Sequence, residues 1–123
     1  MQYNNASVII APDLAESIFG LREIYTQDYH CRMTVSSTIS KLAKEYSIRD
    51  HDLYLQIRPD RFYYRRTDQN RLADQKDLTV LNLNPEATRA VDGLRGRLLN
   101  AYGVKYNRRE ILNILVDYTY MEK

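Results

Sequence analysis

Displaced against itself by 73 positions without a gap, the chain repeats: Pro12, Gly20, Leu21, Arg22, Tyr29 and Leu42 coincide with Pro85, Gly93, Leu94, Arg95, Tyr102 and Leu115. The apolar pattern repeats as well, with Leu14, Ile18, Leu21 and Tyr25 meeting Ala87, Val91, Leu94 and Leu98. Steps of four, three and four residues place each set along one face of a helix. Whatever this chain folds into must use one small unit twice.

The second copy is the more clearly punctuated. Leu78-Thr79-Val80-Leu81-Asn82-Leu83 is β-prone, with Leu81 and Leu83 on one face and Val80 and Asn82 on the other. Asn84-Pro85-Glu86 then starts a helix: Asn84 caps free amides, Pro85 fits the first turn, and Glu86 suits the positive end. The spacing predicts a helix from about Pro85 to Tyr102, stopped by Gly103. Its interior glycines, Gly93 and Gly96, imply either close helix packing or a weak helix. Asn107 with Glu110 makes a capping-box start for a second helix, whose buried stripe is Ile111, Leu112, Leu115, Val116 and Thr119.

The first copy has the same order. Ser7-Val8-Ile9-Ile10 is the strand, with Val8 and Ile10 facing the core and Asn5, Ser7 and Ile9 facing out. Pro12 and Asp13 open a helix ending near Tyr29 or His30, and Thr34 stands where Asn107 stands in the other copy. Val35, Ile39, Leu42 and Tyr46 form the buried side of the next helix.

This order of strand, helix, turn and helix resembles the ribbon-helix-helix superfamily of the Met and Arc repressors. In the second copy the resemblance covers Leu78 to about Tyr120. It rests on the alternating strand, the Asn84-Pro85-Glu86 start, and the run from Gly103 to Leu112. The cap at Asn107 comes about two residues later than in the family, and the first copy, from about Ala6 to Tyr46, carries His30 in place of the glycine. The tandem arrangement is similar to versions encoded by some archaeal viruses. The resemblance implies an α+β fold of two tandem ribbon-helix-helix units: residues 1–46, a connector over 47–77, and residues 78–123. In the connector, Leu53-Tyr54-Leu55-Gln56-Ile57 alternates, Arg58-Pro59-Asp60 reads as a turn, and Arg61 to Arg66 returns, which predicts a β-hairpin.

A strand and two short helices cannot bury their own apolar faces, so the units must pair, within the chain or between chains. The resemblance implies that the paired strands enter the major groove of double-stranded DNA as a ribbon. Asn5, Ser7, Ile9, Val80 and Asn82 would then read bases; an amide such as Asn82 suits adenine, and Val80 suits a thymine methyl. The two copies differ on this face, so a pseudo-dimer would read an imperfect palindrome. The helix starts would hold phosphate, with Thr34, Ser36 and Ser37 in one copy and Asn107, Arg108 and Arg109 in the other. Arg58, Arg61, Arg65 and Arg66, interleaved with Phe62, Tyr63 and Tyr64, are auxiliary candidates for nucleic-acid contact. The alternative reading of this hairpin is a support that extends a sheet, and that of the tyrosines is core-edge and surface contact.

A net charge of +2 permits nucleic-acid binding without requiring it. With Cys31 as the single cysteine, no internal disulfide forms, and an intracellular setting in the cytoplasm, on nucleoid or viral DNA, is expected. No run approaches a membrane span, and the N-terminus lacks the features of a secretion signal. His30 and His51 are too far apart to make a His-x-His metal site, and one cysteine with two histidines does not make a zinc cage. Neither a phosphate-binding glycine loop nor a nucleophile motif is present. No catalysis, metal or cofactor is expected. The function implied is a transcriptional regulator; the rival is a non-catalytic structural, assembly or antitoxin-type protein.

Overall fold

The computed structural model describes residues 5–63 and 78–122. In chain order these form β1 (Ala6–Ile10), α1 (Pro12–Tyr29), α2 (Val35–Glu45), α3 (Ile48–Ile57), a 3-10 turn (Pro59–Tyr63), β2 (Thr79–Leu83), α4 (Pro85–Tyr102) and α5 (Arg108–Glu122).

The expected α+β fold of two tandem ribbon-helix-helix units is not what forms. The chain is mostly helical, and a lone two-stranded sheet is present among the described residues. β1 and β2 belong to that one sheet, and a continuous core runs from Val8, Ile18 and Ile39 to Leu83, Leu94 and Leu112. Separate tandem units are therefore not evident. The physical reason is area: five strand residues with two short helices bury too little by themselves.

The expected β-hairpin is replaced by α3 and the 3-10 turn. Ser47 Oγ accepts from the Asp50 amide at 3.2 Å, and Asp50 Oδ2 accepts from the Ser47 amide at 3.3 Å, a capping box that starts a helix. His51 and Tyr54, three residues apart, are buried, while Leu53 and Ile57 are exposed. The alternation at period two was thus a coincidence laid over a helical stripe. The proposed return strand from Arg61 includes residues 64–66, which lie outside the described residues, as does the rest of the connector, 67–77.

β1 and β2 pair antiparallel, Ser7 with Asn82, Val8 with Leu81 and Ile9 with Val80. Moving Ser7 by the 73-residue offset gives Val80, and moving Ile9 gives Asn82, so the ribbon maps onto itself about the Val8–Leu81 pair. Val8, Ile10, Leu81 and Leu83 are buried beneath it, each such side chain contributing roughly 1.5–3 kcal/mol relative to exposure.

The helix ends follow from local chemistry. Asn84 Oδ1 accepts from the Ala87 amide at 2.8 Å, and Thr34 Oγ1 accepts from the Ser37 amide at 3.0 Å. α1 and α4 both stop on a left-handed residue, His30 at φ 53° and Gly103 at φ 69°. His30 therefore occupies the glycine's role without being a glycine, at a steric cost of roughly 1–2 kcal/mol. No helix among the described residues is long and apolar enough to cross a membrane.

Candidate nucleic-acid interface

The alternation of the strands divides them into a core face and a solvent face. On the latter, Asn5, Ser7 and Asn82 are exposed, Ile9 is 49% exposed and Val80 55% exposed. The fold brings four of these five into two cross-strand pairs. Ser7 Oγ donates to Asn82 Oδ1 at 2.9 Å, and Ile9 lies opposite Val80. The amide nitrogen of Asn82 and a second lone pair on Oδ1 remain available for a base edge.

Two open depressions flank the ribbon. One, of about 220 Å³, is lined by Ser36, Ser37, Ser40, Lys41, Lys44 and Glu86 at the start of α2. Ser36 joins this helix to the ribbon: its hydroxyl accepts from the Asn84 amide at 3.0 Å and donates to the Asn82 carbonyl at 3.4 Å. The α2 start has no acidic residue in its first turn, which leaves its positive end uncompensated from within the helix. Lys44 pairs with Glu86 at 2.7 Å, and that ion pair together with its hydrogen bond holds the Glu86 carboxyl below its ordinary range. Lys41 pairs with Glu45 and lies over the rings of Tyr25 and Tyr29.

The other depression, of about 400 Å³, is lined by Ser7, Ile9, Arg95, Asn107, Arg108 and Arg109 at the start of α5. Asn107 and Glu110 complete a capping box, with reciprocal bonds of 2.8 Å each. Arg108 does not stand ready for phosphate. Its guanidinium makes a two-point contact with Asp92, at 2.9 and 2.8 Å, and Arg95 joins the same carboxylate at 3.1 Å. The hydrogen bond from Arg108 is the main reason the Asp92 carboxyl sits below its ordinary range. Asp92 escaped the sequence reading because its contact with Arg108 crosses from α4 to α5 and leaves no local spacing signal. Lys41 and Lys44 could have been found, since with Ser36, Ser37 and Ser40 they recur at helical intervals.

The auxiliary arginines are engaged elsewhere. Arg58 contacts Asp117 at 3.2 Å and Asp60 at 3.5 Å, and Arg61 approaches the same two carboxylates at 3.8 and 3.7 Å. They tie the 3-10 turn to α5, whereas Arg65 and Arg66 lie outside the described residues. On α3, a tyrosine cluster surrounds His51. Tyr46 Oη lies 2.9 Å from its Nδ1 and Tyr106 Oη 3.5 Å from its Nε2, with the rings of Tyr54 and Tyr102 alongside. Burial lowers the pKa of His51 to about 4 and raises that of Tyr106 to about 12. Among the described residues, no group of three or more His, Cys, Asp or Glu is placed to hold a metal ion. Comparison with family models, with curated proteins and with solved structures gave no match.

Proposed function

We propose that the chain binds double-stranded DNA, laying the solvent face of its β-ribbon in the major groove, and acts as a transcriptional regulator. The observation that carries this reading is the ribbon's solvent face, where Ser7 and Asn82 form a polar pair and Ile9 and Val80 an apolar one. A two-stranded ribbon matches the width of the major groove, and these side chains match the groups displayed there. The start of α2, whose positive end no first-turn acid offsets, suits an adjacent phosphate, a positioning contact rather than a reading one. The resemblance to the Met and Arc repressors supports this use of a ribbon by analogy alone.

The test is fluorescence anisotropy with a duplex taken from beside the chain's own gene and a random duplex of equal length. Affinity for both falls steeply between about 50 and 200 mM salt if phosphates are contacted. Asn82→Ala weakens the specific duplex by about 1–3 kcal/mol and the random one far less. Equal losses remove Asn82 from base reading. Retention of neither duplex at any salt concentration favours the second reading, a non-catalytic protein-interaction role, for which the exposed Ile9–Val80 pair is the supporting observation.

A further inference from the structure

We infer that the ribbon is polarised and that a single chain reads an asymmetric duplex in one fixed orientation, with hydrogen-bonded adenine recognition at the Ser7–Asn82 end and thymine-methyl recognition at the Ile9–Val80 end. This inference rests on the DNA-binding reading above.

The pairing register is self-equivalent: the 73-residue offset exchanges the Ser7–Asn82 pair with the Val80–Ile9 pair about Val8–Leu81. A homodimeric ribbon would carry identical chemistry at the two ends. Here the register is symmetric and the side chains are not. At one end Ser7 Oγ donates to Asn82 Oδ1, which restrains the amide and leaves it a donor and an acceptor for one base edge. At the other end two β-branched side chains, both about half exposed, present only hydrocarbon. Burying these against a thymine methyl is favourable, whereas placing them against unpaired base donors and acceptors is not.

The distance between the ends sets the spacing of the two readings. Residues two apart on a strand are separated by about 6.5–7 Å, which is about two base steps at 3.4 Å per step. The supports differ in the same sense. The start of α2 carries hydroxyls and no first-turn acid, whereas the start of α5 is capped by the Glu110 carboxylate and its Arg108 is bound to Asp92. Turning the chain around on its site would exchange both sets of contacts.

The experiment is selection from a random duplex library with the full chain, followed by atom-level substitution in the selected site. The expected site is non-palindromic. Replacing the adenine by 7-deazaadenine under Ser7–Asn82 removes one acceptor and lowers affinity about fivefold. Replacing thymine by uracil about two steps away removes one methyl and lowers it about fourfold. Each substitution is neutral at the mirrored position. The double variant Ile9→Asn with Val80→Ser gives both ends the same side chains; because both positions are exposed, its circular dichroism is unchanged and it selects a palindrome. A palindromic site for the wild-type chain, or equal effects at mirrored positions, overturns the inference while leaving duplex binding intact. Failure to enrich any site, with no salt-dependent retention, overturns the DNA reading and this inference together.

Discussion

Mild acid should loosen this protein through His51. The imidazole is fully buried, bonded at both nitrogens by tyrosine hydroxyls, and its pKa is lowered from 6.5 to about 4 by burial, against the opposing charge of Asp52. The unfolded chain therefore binds more protons than the folded one between these values, so stability falls as pH drops through the window from about 6.5 to about 4. At 1.36 kcal/mol per unit the full effect is roughly 3 kcal/mol, of which about 2 kcal/mol is lost between pH 7 and pH 5. The comparison is urea unfolding, followed by far-ultraviolet circular dichroism, of the wild type and of His51→Gln, whose amide keeps a donor and an acceptor without titrating. The wild type should lose about 2 kcal/mol over that interval and the variant only a few tenths. Equal losses, or a flat wild-type profile, would show that the imidazole ionises freely, and would refute the buried neutral pairing.

Replacing His30, held at φ 53°, by glycine removes the left-handed penalty and should raise stability by about 1 kcal/mol in denaturant titration; a loss would mean the ring itself matters. Gly96 has nothing within 4 Å of the position of an added Cβ, so Gly96→Ala should stabilise α4 by up to about 1 kcal/mol, read as a higher thermal midpoint. Arg108→Ala breaks the two-point contact with a partly exposed Asp92 and should cost about 1 kcal/mol, discounted for solvent screening. Its effect on DNA affinity, measured by anisotropy, should be smaller than that of Asn82→Ala.

Where helices begin was largely legible, because caps are local. Asn84, Thr34 and Asn107 each bond amides within three residues, and those bonds depend only on nearby chain. The ribbon's inward and outward residues were legible for a similar reason, since alternation fixes the face once a strand exists. The fold class was not. Leu53, Leu55 and Ile57 satisfied a period of two by composition, while burial selected His51 and Tyr54 at helical spacing. Ser47 and Asp50 carried a capping signal that outweighed the alternation. Gly93 has open space beside it as Gly96 does, so neither glycine marks a close helix contact. The fates of Arg58, Arg61 and Arg108 depended on Asp117 and Asp92, which come near only after the helices pack. A run of arginines in a sequence carries no information about which carboxylates folding will set against it.

Ala6 meets Leu83 across most of the chain, and this has a consequence for synthesis. The ribbon cannot begin to form on the ribosome until β2 has left the exit tunnel, so a product stalled or truncated before Thr79 lacks the surface altogether. Closing so long a loop is also slow compared with winding the helices. The surface therefore becomes available only after Leu83 has emerged, when α1, α2 and α3 have already had time to wind.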